Sequence, residues 1–490
     1  MRITKLTYIN HDIMGDTVID FTKSDGTPYN TIVLAGENGN GKTTILETIS
    51  SIASGKLTPS CSMELVFNEK DGIELLKYDS ELADGQRQYD GLTGVGVVES
   101  IEHVVLSSSD VGWSAMQITY TEAGQRKTVE LNRNAENRSV TAVERFFLNL
   151  VVKYKKNDQE PQLSEISSTT KLTIDSHDGD NGSGNKLIFA NRLNVSELLV
   201  NINSQDANEV QQRLRDGERD LTEDDAENRV KRFRHAFSAF FDNQLKFKQI
   251  NNFDITFEKA GREFPITKLS SGEKTIVQYG AFLLKDKNIG ETFITLLDEP
   301  EQSLHPKWEE KILTYYRDIL TDDTDTQLSQ IFATTHSEYV IKNAYSNDDL
   351  IIVLKRDSTG KITADTTRNL DLFPFSPTYD EIKFGTFNLP TPEFHDEMFG
   401  YLQEYHRKNV KALDNLLISG TSCPQKHWIG KQMNNGVIIT STSLNTESLA
   451  AYIRNYTHHP ELRESDNSAY SETELAQSIE YLIAEVNKTR

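Results

Sequence analysis

The chain has 490 residues, more than one ordinary core holds, so two or three packed lobes are expected. Hydrophobic residues make up 37% of it and no apolar run reaches the length of a membrane span, while two cysteines, Cys61 and Cys423, exclude a disulfide framework or a cysteine metal cluster. The formal net charge of −22 repels nucleic acid at long range, so contact with it needs a local basic patch or a partner protein.

The opening, MRITKLTYIN, alternates as a strand does and lacks the basic, apolar pattern of a leader, which points to the cytoplasm. Next, TIVLAGENGNGKTT (31–44) runs from a β-rich stretch into a helix through G-x-x-x-x-G-K-T. Glycines let backbone N–H groups turn inward around a phosphate chain, and the following helix offers its positive end. The cradle comprises Gly36, Asn38, Gly39, Asn40, Gly41, Lys42, Thr43 and Thr44. Lys42 supplies charge at the β/γ-phosphates, and the Thr43 hydroxyl is a ligand for Mg²⁺. ATP and Mg²⁺ are the expected cofactors.

DGIELLKYDSELADGQ (71–86) and GWSAMQITYTEAGQRKTVEL (112–131) read as hairpins, and residues 157–186, rich in Ser, Asp and Gly, as a surface loop. From residue 191 the period turns helical with many charges, but without sustained heptads, which predicts a compact helical insertion over 191–260. The basic segments KYKK (153–156) and RVKRFRHAF (229–237) read as solvated helix faces.

LSSGEK (269–274) places two serines and a glycine before an amphipathic run, with Ser270, Ser271, Gly272 and Glu273 as candidate phosphate contacts. The apolar run Phe293–Leu297 ends in Asp298-Glu299: Asp298 at a strand tip is placed to hold Mg²⁺, and Glu299 to activate water as a general base. QIFATTHS (330–337) ends a further apolar strand at His336, a donor for the γ-phosphate. Lys42, Glu299 and His336 are the catalytic candidates, Thr43 and Asp298 the metal ligands. The domain reading is 1–190 with the P-loop, 191–260 the insertion, 261–370 the remaining strands, and 371–490 a Pro-punctuated helical domain for partner or self association.

GENGNGKTT, LSSGEK, LLDEPE and ATTHS resemble the P-loop, signature, Walker B and histidine switch of ABC-type ATPases. NGNGKTT, the signature ending in Glu and the opening ITKLTYINHDIMGDTVIDF are similar to the SMC, RecN and RecF branch. The resemblance implies an α/β ABC-type P-loop head with a helical insertion and a mostly helical tail. It also implies a homodimer closing head to tail on ATP, within a higher oligomer, with the signature facing the partner's nucleotide. Where many ABC proteins have Leu-Asp, this chain has Leu304-His305-Pro306. That departure leaves Ser303 an uncertain dimer-crossing residue. No glutamine for the Mg²⁺-sensing loop stands out between Gln117 and Gln125.

The short insertion, DEPEQSLHP and the helical tail are most similar to the ATPase subunits of Septu anti-phage defence. That family implies a partner HNH endonuclease; the PARIS ATPase, which holds a Toprim effector, is the close alternative. In both, nucleic acid is met mainly through the partner. Two readings from other classes stand beside this one. YIRNYTHHPE (452–461) fits the R-polar-x-x-x-H pattern of HEPN ribonucleases, with Arg454 and His459 catalytic, but His-His-Pro is also a helix-stopping turn. A RecF-like DNA-repair ATPase is the third.

Overall fold

The run TIVLAG, Thr31–Gly36, is buried at every residue, as a parallel strand covered on both faces must be. The computed structural model describes residues 2–53, 61–66, 98–109, 112–132, 163–166, 195–216, 228–251, 254–284, 293–302, 304–321, 326–357, 360–366, 372–420, 422–434, 437–440, 445–460 and 467–490. The chain divides into two units, Met1–Thr366 and Thr367–Arg490.

The first unit carries, in chain order, β1 (Arg2–Tyr8), β2 (Val18–Asp20), β3 (Thr31–Gly36), α1 (Lys42–Ala53), β4 (Cys61–Val66), β5 (Val98–Ser109), β6 (Gly112–Glu122), β7 (Gln125–Asn132), β8 (Leu163–Ile166), α2 (Val195–Arg215), α3 (Asn228–Phe240), β9 (Leu245–Asn251), β10 (Asp254–Lys259), β11 (Arg262–Pro265), α4 (Ser271–Leu283), β12 (Phe293–Asp298), α5 (Pro306–Ile319), β13 (Ser329–Thr335), α6 (Glu338–Ser346), β14 (Leu350–Arg356) and β15 (Ile362–Asp365). The central sheet has the order β15-β14-β3-β13-β12-β8. Its strands run parallel except for β15, which pairs antiparallel with β14.

Alternation along these strands splits the core in two. Ile32, Leu34, Leu296 and Phe332 join the cluster shared with Ile3, Leu6 and Ile45. Val33, Leu297, Ile331 and Ala333 join the opposite cluster, with Phe233, Phe237, Ile312 and Tyr315. Register sets the site: Asp298 lies level with Thr334, and Thr335 with Ala35. The segments leaving the carboxyl ends of β3, β13 and β12 therefore open side by side, where open α/β sheets bind ligands.

A second, antiparallel sheet has the order β2-β1-β4-β5-β6-β7. The expected hairpin at 112–131 is its β6–β7 pair, turning at Ala123-Gly124. The hairpin expected at 71–86 and the basic segment 153–156 lie outside the described residues, as does the 157–186 loop apart from β8.

The helical reading of 191–260 holds only as far as Phe240. Beyond it, β9, β10 and β11 form an antiparallel three-stranded sheet. The helices do not make a lobe of their own, because their aromatic face needs cover. Phe233, Phe237 and Phe240 of α3 belong to the same core as Ile276 of α4 and Tyr315 of α5. The basic segment 229–237 is two-sided: Lys231, Arg232 and Arg234 are half-buried and His235 is exposed on one side, while the other packs inward. Val230, Phe233, Ala236 and Phe237 are buried, and Arg229 is buried against Asp206, Nε to Oδ1 at 2.7 Å.

The second unit is mostly helical. It contains α7 (Tyr379–Phe387), α8 (Pro392–His406), α9 (Val410–Ile418), α10 (Leu449–His458) and α11 (Glu472–Asn487), with two short antiparallel pairs, Gln425–Trp428 with Asn445–Ser448 and Lys431–Asn434 with Val437–Thr440. Phe394, Phe399, Leu413, Ile453, Ile479 and Leu482 form its core.

Candidate active site

The P-loop begins where β3 ends. Gly36 has φ +137°, and a Cβ there would stand 2.4 Å from Leu354 O. Gly41, φ +85°, would drive a Cβ to 2.5 Å from Met14 Sδ. Both positions require glycine through conformation and space together. Asn40 is buried, and its Nδ2 donates to Leu354 O at 3.0 Å. Its side chain clips the loop to β14, leaving its backbone for a ligand. Asn38 and Gly39 are exposed at the loop's tip. Lys42 is 6% exposed and its Nζ donates to Gly36 O at 2.8 Å and Glu37 O at 3.0 Å. Burial pushes its ammonium below the usual lysine range; Glu299, Asp298 and Glu301 oppose that shift. At the start of α1, Thr43 is exposed, while the Thr44 carbonyl accepts from Thr48 Oγ1.

The expected pairs meet here. Thr43 Oγ1 donates to Asp298 Oδ1 at 3.5 Å. Asp298 Oδ1 also accepts from Thr334 Oγ1 at 2.6 Å, and that hydroxyl accepts the Glu299 N–H at 2.9 Å. Glu299 has φ +47°, a left-handed backbone uncommon outside glycine. Its Oε1 lies 3.2 Å from His336 Nε2. Burial, then the Lys42 charge, pushes the imidazole below its ordinary range against the pull of Glu299 and Asp298.

One residue of the site went unread in the sequence. Glu301 is 7% exposed, and its Oε1 accepts from Thr335 Oγ1 at 2.6 Å and from the His336 N–H at 3.0 Å. Its buried Oε2 has no hydrogen-bond partner among the described residues. Burial pushes this carboxyl up to about 7. An unpartnered buried carboxylate oxygen is costly, so the protonated form is favoured. The signal was the third acid in DEPE, three residues past Asp298.

The signature turn divides its labour. Ser270 Oγ accepts the Glu273 N–H at 3.3 Å and Glu273 Oε2 accepts the Ser270 N–H at 2.8 Å, a capping box for α4. Glu273 Oε1 also takes Lys259 Nζ at 3.1 Å. These two side chains hold the turn, and Ser271 beside them is exposed. Gly272 is a matter of space: a Cβ there would meet Trp308 Cζ3 at 2.6 Å. His305, the departure noted beside the Walker B strand, is the N-cap of α5, with Nδ1 accepting from Lys307 N at 3.2 Å and Pro306 following it. Ser303 lies outside the described residues.

In the second unit, α10 ends at His458 with His459 as its C-cap. Arg454 donates to Asn455 Oδ1 at 3.2 Å, and His458 Nε2 lies 2.8 Å from Asp396 Oδ2. The ribonuclease-like spacing thus sits on a helix end, as Pro460 demands.

Among the described residues no helix is long and apolar enough to cross a membrane. Comparison with known proteins places the chain. It is 28% identical to the Septu protein PtuA of Bacillus thuringiensis over 141 residues, 26% of this chain and 34% of that protein. It is 22% identical to the "Retron Vc95 probable ATPase" of Vibrio cholerae serotype O1 biovar El Tor over 199 residues, 38% of this chain and 36% of that one. The matches span about a third of each relative's length. Among solved structures, the SMC head domain from Thermotoga maritima covers 75% of this chain at 16% identity, all of that chain being matched, with TM-score 0.36. An SmcHead bound to the C-winged helix domain of ScpA covers 75% of this chain and 98% of its own at 15% identity, with TM-score 0.41. The family model described as "AAA domain, putative AbiEii toxin, Type IV TA system" matches residues 32–342, which contain the P-loop, the signature, Asp298, Glu299 and His336. That match takes in well over half of the chain, so the protein belongs to this family, with an ABC-type P-loop fold and P-loop ATP hydrolase activity.

Proposed function

We propose that this chain is the ATP-driven sensor and scaffold of a cytoplasmic anti-phage defence complex, in which nucleotide state licenses a separate effector nuclease. The observation that carries the chemical part is the convergence of Thr43, Asp298, Glu299 and His336 at the mouth of one P-loop, with Thr43 Oγ1 3.5 Å from Asp298 Oδ1 and Glu299 Oε1 3.2 Å from His336 Nε2. The similarity to a Septu protein and a retron ATPase supports the defence part.

An alcohol oxygen and a carboxylate oxygen side by side are the donor set an Mg²⁺ ion takes alongside phosphate oxygens and water. Thr43 and Asp298 would hold it, and when bound it neutralises charge on the β- and γ-phosphates. The N–H groups of the loop from Asn38 to Thr44 cradle the phosphate chain, and Lys42 adds its charge. Glu299 accepts a proton from the attacking water. His336 donates a hydrogen bond to the γ-phosphate. Ser271 and the N-terminus of α4 meet the phosphate of a second copy, so that two heads close on two nucleotides and part after hydrolysis. We favour an HNH nuclease as the effector, with a Toprim nuclease as the alternative.

The test is phage plating. Cells carrying this gene together with the genes that flank it should resist infection, and Lys42→Ala or deletion of a flanking nuclease gene should each restore plaques. Full resistance without the nuclease would overturn the scaffold reading.

A further inference from the structure

The second unit holds sixteen acidic and eleven basic residues, yet its elbow between α8 and α9 is positive. From residue 402 to 413 the chain has Arg407, Lys408 and Lys411 against the single acid Glu404. Elsewhere in the unit Lys383 pairs with Asp380 at 3.1 Å, Lys426 with Glu474 at 2.8 Å and Lys488 with Glu485 at 2.5 Å. Arg407, Lys408 and Lys411 make no ion pair among the described residues. Backbone geometry fixes the turn. Arg407 is the left-handed C-cap of α8, φ 52°, and Asn409 caps α9 by accepting the Ala412 N–H at 2.9 Å. The cations are therefore held together on a rigid bend.

An aromatic file leads to the same bend. Phe375 stacks on Phe373, centroids 5.0 Å apart; Phe373 meets Tyr401 at 5.3 Å; Tyr401 stacks with Tyr405 at 6.2 Å; Tyr405 meets His406 at 5.0 Å, edge to face. Phe373 is buried, which anchors the file, while Tyr405 is 53% exposed. An apolar protein partner would find this ring flanked by charge. An acidic peptide would use the cations but leave the ring idle. A flexible strand of bases and phosphates uses both, because aromatic faces stack bases and lysine or arginine takes the backbone.

We propose that the elbow from Tyr405 to Lys411 binds single-stranded nucleic acid, with phosphates on Arg407, Lys408 and Lys411 and a base on the outer face of Tyr405. The site lies on this chain, so nucleic acid reaches the complex by a route separate from the effector. Of the two basic segments visible in the sequence, 229–237 packs its apolar face into the core and 153–156 lies outside the described residues.

The test uses the full-length chain and fluorescein-labelled 20-mers of deoxythymidine and uridine in fluorescence anisotropy. Both arms identify the site, and the tighter one names the natural sugar. Three phosphate contacts predict log Kd rising with log salt at a slope of about 2. The triple variant R407Q/K408Q/K411Q should flatten that slope and weaken binding at low salt at least tenfold. Tyr405→Ala should weaken it about fivefold or more, and Tyr405→Trp should restore it. Thermal unfolding of each variant checks that the unit remains folded. Wild-type affinity in the triple variant would overturn the proposal, as would competition by polyglutamate equal to that of unlabelled oligonucleotide.

Discussion

Glu301 Oε1 accepts the Thr335 hydroxyl at 2.6 Å, a contact between residues 34 apart that closes the Walker B turn onto the loop carrying His336. Glutamine in its place keeps the accepting oxygen and puts a neutral amide where the buried Oε2 lies. Alanine removes both hydrogen bonds. Glu301→Gln should hold kcat within about threefold, whereas Glu301→Ala should lower it by roughly 10-fold or more, since each lost buried hydrogen bond costs about 1–3 kcal/mol. Steady-state phosphate release over pH 6–8 measures both. Equal damage from Gln and Ala would mean that the charge, rather than the hold on His336, is what counts.

As the proposed general base, Glu299 would act on water and not on the ground-state nucleotide. Glu299→Gln should keep ATP binding within a few-fold and lose about 10²–10⁴ in turnover. Fluorescent nucleotide titration beside a phosphate-release assay separates the two. Near-normal turnover would remove Glu299 from the general-base role.

The exposed Ser271 yields a complementation experiment. Lys42→Ala disables the cradle and Ser271→Arg blocks the signature. If the signature works across subunits, each mixed dimer regains one site with both parts intact. Random mixing of the two dead chains should then restore roughly a quarter of wild-type activity, provided the two sites fire independently. Full activity from Ser271→Arg alone would sink the trans arrangement.

Glu447 gives the second unit a pH-dependent stability. Burial, and then the neighbouring Asp414, push its carboxyl up to about 7, while Asn455 Nδ2, donating at 3.0 Å, opposes the shift. Its folded value lies above its unfolded one, so the folded state binds the extra proton between about 4.5 and 7. Its stabilising contribution is full below that window and is lost as pH rises through it. Urea midpoints at pH 5 and pH 8 should differ less in Glu447→Gln than in the wild type, and at pH 8 the variant should be the more stable. An unchanged difference would show that Glu447 ionises normally.

The site was legible where its chemistry demands a local pattern. A phosphate cradle needs glycines, lysine and a hydroxyl in one turn, and Gly36, Gly41, Lys42 and Thr43 lie where that pattern puts them. Strand ends in Asp298 and His336 were legible because buried parallel strands are unbroken apolar runs. Glu301 was not, because its partners are set by the register of β12 against β13, which sequence spacing does not carry. Ser270, Glu273 and Asn40 carry a second duty that spacing does not show: capping engages the first two side chains, and the Asn40 amide clips the loop to Leu354 O. In 245–251, Leu245 and Phe247 alternate inward at a strand's period. That signal was overrun by the helical charge pattern preceding it.

Gly272 tests the packing argument. Alanine there meets the Trp308 ring at 2.6 Å, so either the turn or α5 must shift. Overpacking of this kind costs about 1–3 kcal/mol, and Gly272→Ala should melt lower and hydrolyse ATP more slowly. Adding Trp308→Phe should recover part of both, read in the same melts and rates.

Trp308 and Glu309 are consecutive residues of α5 with different duties. The first leans on the signature at Gly272, and the second accepts the Ser337 hydroxyl at 2.6 Å, one residue past the imidazole of His336. A helix is stiff over a single turn, so these two points are geared together. A displacement of the signature turn at Gly272 would therefore be felt, through one turn of α5, at the Ser337 hydroxyl beside His336.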